Sequence, residues 1–304
     1  MDDADRATST PAVAVVTGVN SGIGRATALH LAAQGMRVVG TVRSSAKAEK
    51  LRTMAAERSV DVDLVELDVA DDDSVARGFA SILERVEAVD LLVNNAGVGP
   101  IGVAEHTPTS VYLHAFNVNL GGAVRCTQAV LPGMRARGRG CVVSVGSFTD
   151  RVPASAQSPY VASKCALAGW SDGLAQEVAP FGIRVALLEA GVTRTAMQAK
   201  NGDTPNASGA YDAHYRRMFS FYVTGLQQPG TDPFDVARVV YDAYTTDTPR
   251  LRWVCGWGAA ESVDGMARMS DQDWVALGAV ADDDAYYARF AELFGLSIAP
   301  PPAG

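Results

Sequence analysis

A tyrosine and a lysine four positions apart are the residues of this chain best suited to proton transfer. Tyr160 and Lys164 would lie one turn apart on the same face of a helix. Pro159 stands at the predicted start of that helix, where a missing N–H is tolerated. Ser147 follows the apolar run 141–145, which predicts a buried strand. We therefore predict a site where a hydroxyl and a phenol exchange a proton with a carbonyl oxygen.

The lysine bears on whether the phenol can also act as a base. A free phenol, with a pKa of about 10, is a workable acid but a poor base near neutral pH. The ammonium of Lys164 is expected to lower the pKa of Tyr160 and favour the phenolate. Ser147 would donate a hydrogen bond to the developing oxyanion. A nucleophilic role for Ser147 is disfavoured, since the sequence has neither a nucleophile elbow nor an evident base.

A glycine-rich turn near the N-terminus predicts a nucleotide site. A β-branched run at 13–16 predicts a strand, and a helical pattern spans 25–34. Between them, Gly18, Gly22 and Gly24 are spaced Gly-x3-Gly-x-Gly, not the Gly-x-Gly-x-x-Gly of the standard fingerprint. Strand, glycine turn and helix in that order present backbone N–H groups to a pyrophosphate.

The end of the second predicted strand, 37–42, favours NADP(H) over NAD(H). An acidic residue there would bind the ribose 2′-hydroxyl of NAD. Arg43 follows the strand instead, and a guanidinium matches the geometry and charge of a 2′-phosphate. An ordinary surface arginine is the alternative interpretation.

The rest of the chain alternates strands with helices, which predicts an α/β domain with a parallel sheet. Further strands are predicted at 62–67, 90–93, 184–188 and 251–254, and helices at 44–58, 72–86, 160–177 and 232–244. Asp68 follows the third strand and could accept from an adenine amino group, whereas Asp71 is expected to cap the next helix. Asn119 lies among poor helix formers inside a helical segment reaching Leu131, which indicates a functional break or close helix packing.

Aromatic residues concentrate after Thr195. Tyr211, Tyr215, Phe221 and Tyr222 lie on a predicted short helix. This cluster is either a substrate lid or ordinary packing against the body of the protein.

Composition excludes several classes of protein. The 304 residues are 48% hydrophobic and carry a net charge of −8, with no dense basic cluster for nucleic acid. The sequence shows no signal peptide or membrane-spanning run, which predicts a cytoplasmic protein. The four histidines lack metal-ligand spacing, so no metal site is predicted. The four cysteines are expected to be reduced and packed, including Cys165 beside Lys164.

Several motifs, in order and at the same spacing, resemble the short-chain dehydrogenase/reductase family. They comprise Thr17-Gly18-x3-Gly22-Ile23-Gly24, Asp68-Val69, Asn94-Asn95-Ala96-Gly97, Asn119, Ser147 and Tyr160-x3-Lys164. The resemblance is close over 13–195. The segments around Ser147, Glu189 and Arg252 look like the branch of 17β-hydroxysteroid and retinol dehydrogenases.

The resemblance implies a Rossmann-type doubly wound sheet of order 3-2-1-4-5-6-7 and four catalytic residues. Tyr160 would be the general acid or base, Lys164 would lower its pKa and bind the nicotinamide ribose, Ser147 would hold the substrate oxygen, and Asn119 would keep a water in the proton relay. The implied cofactor-binding residues are Gly18, Ser21, Gly22, Ile23, Gly24, Arg43, Asp68, Val69, Asn95, Ala96, Gly97, Tyr160, Lys164, Gly191, Val192 and Thr195. Ala190 stands where the family usually has proline, which is expected to loosen that loop.

We therefore expect an NADP(H)-dependent oxidoreductase that interconverts a bulky apolar ketone or aldehyde with its alcohol. The alternatives are an NAD-preferring alcohol dehydrogenase and a nucleotide-binding redox sensor without catalysis. The expected organisation is a disordered lead at 1–11, a catalytic domain at 12–255 with a substrate lid at 196–230, and a helical extension at 256–304. A homodimer or homotetramer is implied by the family.

Overall fold

The computed structural model describes residues 10–195 and 205–298. Residues 1–9 of the predicted lead, 196–204 of the predicted lid and 299–304 of the predicted extension lie outside the described residues. Within the described ranges, no helix has the length and apolar character needed to cross a membrane.

Seven parallel strands form one sheet in the order β3-β2-β1-β4-β5-β6-β7, as the family resemblance implies. Their residues are mostly valine, leucine and isoleucine, because helices cover both faces of the sheet. The strands are β1 Val13–Thr17, β2 Arg37–Val42, β3 Asp63–Glu66, β4 Leu91–Asn94, β5 Gly140–Val145, β6 Ile183–Ala190 and β7 Arg252–Cys255. The fold is therefore the predicted doubly wound Rossmann type.

The helices divide between the two faces and the C-terminal region. They are α1 Gly22–Ala33, α2 Glu49–Glu57, α3 Asp72–Arg85, α4 Thr109–Phe116, α5 Gly122–Arg137, α6 Ser158–Val178, α7 Asp212–Leu226, α8 Pro233–Thr245, α9 Ala259–Ala267, α10 Asp271–Gly278 and α11 Asp283–Phe294. Side chains of α1 and α8 pack on one face of the sheet, whereas α3, α5 and α6 pack on the other. Each helix buries an apolar stripe against the strands, and this burial is the main driving force for the fold.

Local signals place most helix ends correctly. The Asp71 side chain accepts a hydrogen bond from the Ser74 N–H and caps α3, as predicted. Pro159 occupies the first turn of α6, also as predicted. The predicted helix 44–58 instead begins as a 3₁₀ turn at Ser45–Ala48, and α5 runs past Leu131 to Arg137. Helix α5 thus continues through Pro132, a residue that usually disfavours a helix interior.

The C-terminal helices form an aromatic cluster with residues beside the predicted site. Phe290 and Phe294 of α11 pack with Phe148, the residue after Ser147. Phe221 of α7 stacks on Phe148, with ring centroids 5.9 Å apart. The region after β7 is therefore mostly helical, as predicted, and it packs against the body of the protein.

An arginine fastens α7 to the start of α11. Arg217 is 4% exposed, and its Nε donates to Asp283 Oδ1 at 2.8 Å. Its Nη2 donates to the carbonyl oxygens of Val280 and Ala281. The guanidinium also lies over the ring of Tyr286, 4.2 Å from the centroid.

We expect Arg217→Met to destabilise the contact between α7 and α11 by about 2–3 kcal/mol, because it leaves buried acceptors unpaired. Arg216→Met is the matched control, since Arg216 binds the same Asp283 but is 59% exposed, and it should cost less than about 1 kcal/mol. Urea unfolding and amide hydrogen exchange in α7 and α11 measure both. Equal effects of the two substitutions would contradict the prediction.

Candidate active site

The sheet brings the predicted site residues to one edge. Gly18, Arg43, Asp68, Asn95, Ser147 and Gly191 each follow a strand of the parallel sheet, at its carboxyl end. The strand order reverses between β1 and β4, which lie side by side. Open α/β sheets bind ligands outside the carboxyl ends of their strands at such a switch point.

Asn95 locks the glycine-rich turn in place. Its Nδ2 donates to the carbonyl oxygens of Thr17 and Gly18 at 2.8 and 3.3 Å. Thr17 Oγ1 accepts from the N–H groups of Asn95 and Ala96, both at 2.9 Å. A Cβ at Gly24 would collide with the Asn95 amide, so only glycine fits there. The contribution of Asn95 is therefore to hold the turn, and Thr17 is a supporting residue that the sequence motif contained without revealing its role.

The other predicted cofactor residues cluster around this turn. Gly18 has φ +72° and a Cβ there would lie 3.0 Å from Ala96 Cα. Gly22 has φ +55° and a Cβ there would lie 3.1 Å from Thr195, so the loop after β6 reaches the turn. Ser21 precedes α1 without capping it through its side chain. The backbone N–H groups at the N-terminus of α1 therefore face the glycine-rich turn 18–24, as a pyrophosphate site requires.

The loop after β6 is held firmly at its start. Ala190 pairs with Cys255 in the sheet, and the Gly191 N–H donates to the Cys255 carbonyl at 2.7 Å. The Val192 N–H donates to the Trp257 carbonyl at 3.1 Å. Strand β7 and the residues after it therefore restrain the first two residues of the loop, whereas the expected loosening of the rest of the loop stays a prediction.

Arg43 and Asp68 occupy the adenosine end of this edge. Arg43 is exposed directly after β2. Asp68 accepts from the Ala70 N–H at 3.0 Å through Oδ1. Val69 is buried where Gly122 approaches it closely, since a Cβ at Gly122 would lie 2.8 Å from the Val69 side chain.

Asn119 lies in a π-helical turn, Asn117–Gly121, between α4 and α5. Its Oδ1 accepts from the Val98 N–H at 2.8 Å, and its Nδ2 donates to Val98 O and Ser163 Oγ at 2.9 and 2.8 Å. π-Turns are frequent at functional sites. The helix therefore changes its hydrogen-bond pattern at Asn119 and packs closely at Gly122, whereas a function for this break stays a prediction. Both N–H donors of the Asn119 amide are used, and its Oδ1 accepts one hydrogen bond, which leaves one lone pair of Oδ1 for a further donor.

Thr149 prepares the hydroxyl of Ser147. Its N–H and its Oγ1 both donate to Ser147 Oγ, at 3.3 and 3.0 Å. Ser147 is 5% exposed, so its oxygen has no competing bulk water. Because both lone pairs of Ser147 Oγ accept hydrogen bonds, the hydroxyl proton of Ser147 can point toward Tyr160. A hydrogen bond from this hydroxyl stabilises the phenolate of Tyr160. Thr149 was missed from sequence, although a hydroxyl two residues after a serine is a typical turn signal.

Tyr160 and Lys164 lie as the spacing predicts. The Lys164 Nζ is 5.7 Å from the Tyr160 ring centroid and donates to the Val145 carbonyl at 2.8 Å. Burial and the neighbouring Tyr222 raise the pKa of Tyr160, while the hydrogen bond from Ser147 lowers it. Burial lowers the pKa of Lys164 to about 8. The expected lowering of the Tyr160 pKa is therefore wrong for the protein alone, since loss of hydration outweighs the ammonium.

Helix α7 contributes tyrosine side chains to the surroundings of Tyr160. The Tyr222 hydroxyl accepts from Gln157 Nε2 at 2.7 Å, just before α6 begins. Tyr215 is buried, and its hydroxyl accepts from the Val103 N–H at 3.1 Å. The aromatic cluster therefore both packs against the body and walls the space beside Tyr160.

A buried network of ion pairs lies next to the turn that follows Ser147. Glu189 is fully buried, and its Oε1 accepts from Arg151 Nε at 2.7 Å and from Arg252 Nη1 at 2.6 Å. Arg252 also donates twice to Asp172, at 2.9 and 2.7 Å. The motifs around Glu189 and Arg252 are thus one feature, since β6 and β7 place them side by side.

Cys165 departs from expectation because it is exposed on α6. Partial desolvation of the Cys165 thiol and the negative charge of the nearby Asp150 raise the pKa of this thiol. A raised pKa disfavours the reactive thiolate. Cys126 and Cys141 are buried as expected.

The family model for short-chain dehydrogenases matches residues 12–206. The chain belongs to the short-chain dehydrogenase family. This short-chain dehydrogenase is 34% identical over 253 residues to the uncharacterized oxidoreductase YusZ of Bacillus subtilis, with 81% of this chain and 89% of that protein covered. It is 32% identical to retinol dehydrogenase 8 of Bos taurus (80% and 80% covered) and 33% identical to 17-beta-hydroxysteroid dehydrogenase type 1 of Mus musculus (80% and 73% covered). The resemblance to that branch is confirmed, and the protein is an oxidoreductase.

Solved structures agree with the fold. A short-chain dehydrogenase from Streptomyces avermitilis has a TM-score of 0.76 at 33% identity, covering 90% of this chain and 100% of that one. An alcohol dehydrogenase from the archaeon Thermococcus sibiricus, complexed with 5-hydroxy-NADP, has a TM-score of 0.66 at 25% identity, covering 81% and 97%. The glycine cradle fits such a cofactor, because side chains would fill the space at Gly22 and Gly24. The short-chain dehydrogenase described here therefore uses a nicotinamide dinucleotide and acts on small molecules.

Proposed function

We propose that this protein is an NADP(H)-dependent oxidoreductase that interconverts a bulky apolar ketone or aldehyde with its alcohol. The observation that carries the proposal is the group formed by buried Ser147, buried Lys164 and half-buried Tyr160 at the carboxyl edge of the sheet, with Tyr222 of α7 beside the phenol. The nicotinamide, bound along the glycine cradle, would supply or accept the hydride.

Each side chain has a role in the transfer of the proton. Ser147 donates a hydrogen bond to the substrate oxygen, and Thr149 holds Ser147 for this task. Tyr160 gives its proton to that oxygen in reduction and takes it back in oxidation. Lys164, fixed to Val145, places an ammonium beside the phenol and favours its anion. Asn119 would hold a relay water, through its backbone carbonyl or the remaining lone pair of Oδ1.

The protonation of Tyr160 sets the direction that pH favours. Because burial raises the pKa of Tyr160, the phenol stays protonated at neutral pH. Reduction, which needs the acid, is therefore expected to proceed at neutral pH, whereas oxidation should accelerate as pH rises. This difference appears in the pH dependence of kcat for the two directions.

The substrate class follows from the walls of the site. Tyr222 lies beside Tyr160, and its ring contacts Phe221, which in turn stacks on Phe148. Such surfaces bind large apolar molecules and leave the polar group for the catalytic hydroxyls. The names of the retinol and 17-beta-hydroxysteroid dehydrogenases to which the chain is similar support a steroid-, retinoid- or polyketide-like substrate.

A carbonyl panel tests the proposal. Purified protein is assayed with NADPH and NADH against steroid ketones, retinal and small aliphatic ketones. We expect turnover of bulky apolar carbonyls with NADPH. Cofactor binding without turnover on any carbonyl would support the redox-sensor alternative, and equal or better use of NADH would support the NAD alternative.

Arg43→Asp is expected to reverse the cofactor preference. Losing charge-assisted hydrogen bonds to a 2′-phosphate should raise the KM for NADPH by about 10- to 100-fold, while the new carboxylate suits a free 2′-hydroxyl. Arg37→Asp is the matched control, because Arg37 is exposed at the opposite end of the same strand. An unchanged NADPH to NADH ratio for Arg43→Asp would exclude Arg43 as the phosphate ligand.

We also propose that the protein forms a homodimer or homotetramer. Helix α4 packs against α6, and its Leu113 is 66% exposed, so this face offers an apolar side chain to a second copy of the chain. Light scattering after gel filtration measures the oligomeric state, and a monomer at micromolar concentration would contradict the proposal.

A further inference from the structure

Asp150 is a buried carboxylate without a hydrogen-bond partner. Its side chain is 1% exposed, and neither carboxylate oxygen has a hydrogen bond among the described residues. Its nearest cation is Arg252, whose Nη1 lies 3.6 Å from Oδ2 and is already bonded to Glu189. Buried carboxylates are normally paired, so one left without donors requires an explanation.

The backbone places Asp150 beside the catalytic group. Ser147 begins a 3₁₀ turn, and the Asp150 N–H donates to the Ser147 carbonyl at 3.1 Å. The same turn packs against α6, where Cys165 Sγ lies 3.5 Å from the Asp150 carbonyl oxygen. Asp150 therefore shares one short turn with Ser147 and faces the part of α6 that carries Lys164.

The charges around Asp150 leave one negative charge to be balanced. Glu189, Asp172 and Asp150 supply three carboxylates, and Arg151 and Arg252 supply two guanidiniums. The two guanidiniums direct their hydrogen bonds at Glu189 and Asp172. Lys164 lies on α6, which packs against the turn that carries Asp150, and the electrostatic attraction between the two side chains opposes the loss of the Lys164 proton.

The remaining neighbours do not neutralise Asp150. Helix α9 also packs against this turn, but its Glu261 and Asp264 are exposed. On α6, the Cys165 thiol is neutral because its pKa is raised. Tyr160 is likewise uncharged at neutral pH, and the charge of Asp150 contributes to keeping it so.

We propose that Asp150 is a positioning residue whose buried carboxylate keeps Lys164 in its ammonium form and thereby sets the pH range in which Tyr160 transfers protons. This inference rests on the proposed function, because that function gives Lys164 and Tyr160 their role in proton transfer. Burial and the adjacent Glu189 raise the pKa of Asp150 to about 7. The Asp150 carboxyl would therefore lose its proton near pH 7, and its negative charge would favour the ammonium form of Lys164 only above that pH.

The first experiment needs no substrate. The sequence contains only four lysines, Lys47, Lys50, Lys164 and Lys200, so the full-length protein labelled with ¹³C-lysine gives four side-chain signals. Lys164→Met assigns the Lys164 signal. We expect Asp150→Asn to lower the pKa of Lys164 by about one unit, because an attractive charge is removed.

Asp172→Asn is the matched control. It removes a carboxylate from the same network, but Asp172 lies eight residues along α6 from Lys164, about 12 Å at the helical rise. It should leave the Lys164 titration in place. An unmoved titration in Asp150→Asn, or an equal shift in Asp172→Asn, would overturn the inference.

Stability distinguishes this role from a structural one. A carboxyl whose folded pKa is raised binds its proton more tightly in the native state, so its contribution to stability declines as pH rises from about 4 to 7. Asp150→Asn has no carboxyl to deprotonate and so avoids this loss of stability. We therefore expect a higher Tm for Asp150→Asn than for wild-type protein at pH 8. Asp150→Ala serves as a second variant if the amide packs poorly. A lower Tm in both variants would identify a structural carboxylate instead.

Turnover supplies the second readout. With the carbonyl that the panel identifies, both limbs of the pH profile of kcat should move to lower pH in Asp150→Asn, because the charge raises the pKa of every nearby acid. Below about pH 6 the profiles should coincide, since Asp150 is then protonated. Absence of turnover in wild-type protein would reject the proposed function, whereas turnover with an unshifted profile would reject only the role of Asp150.

Discussion

Tyr160→Phe is expected to lower kcat by about 10³-fold or more while NADPH still binds. The substitution removes one oxygen from a half-buried ring and leaves Ser147 and Lys164 in place. A positioned general acid contributes about 10²- to 10⁴-fold, and no other phenol occupies the same position between Ser147 and Lys164. NADPH fluorescence titration measures binding, and steady-state kinetics measure turnover.

Tyr222→Phe is the matched control for this experiment. Tyr222 is also a half-buried tyrosine next to Tyr160, but its hydroxyl is bonded to Gln157. We expect its loss to change kcat by less than about 10-fold and to act mainly on the KM of bulky substrates. If Tyr160→Phe retained turnover, or if Tyr222→Phe abolished it equally, the assignment of Tyr160 as general acid would be rejected.

Glu189→Ala is expected to reduce the free energy of unfolding by about 4 kcal/mol. The carboxylate is fully buried and is bonded to Arg151 and Arg252. Removing it leaves Arg151 without its carboxylate and Arg252 with Asp172 as its remaining hydrogen-bonded carboxylate, and breaking a buried pair typically costs about 3–5 kcal/mol. The loss should appear as a lower urea midpoint with an unchanged slope. Glu189→Gln, which keeps the volume, should show a smaller loss.

Glu292→Ala provides the comparison. Glu292 pairs with Arg289 at 2.6 Å, but both side chains are largely exposed. Exposed pairs contribute about 0–1 kcal/mol, because water and salt screen them. Similar losses for Glu189→Ala and Glu292→Ala would show that burial of the Glu189 network does not matter to stability.

The residues that follow strands were the most predictable part of the site. The turn at Gly18–Gly24, the end of β2 at Arg43 and the pair Tyr160 and Lys164 all lie where the pattern indicated. Their predictability has a physical cause, since parallel strands deliver their carboxyl ends to one edge whatever the details of packing. The role of Asn95 was less predictable, because whether its amide meets a ligand or the turn depends on side-chain direction.

Errors arose where burial competes with local preference. The pKa of Tyr160 was expected to fall because of Lys164, yet desolvation raises it. Cys165 was expected to be packed, yet it lies on the exposed side of α6. For Tyr160 the surroundings include Tyr222 of α7, an element distant in sequence.

The sequence by itself determined the reaction class and the edge of the sheet where it occurs. Short-range patterns are sufficient for that, because the spacing of Tyr160 and Lys164 and the glycine turn depend only on the geometry of one helix or one loop. Only the tertiary structure decided what surrounds the phenol. Residues from β6, β7 and α7, far apart along the chain, meet behind and above it, and their charges and rings set the pKa values and the shape of the site. Electrostatic and packing forces act through space, so neither is visible in the order of residues alone.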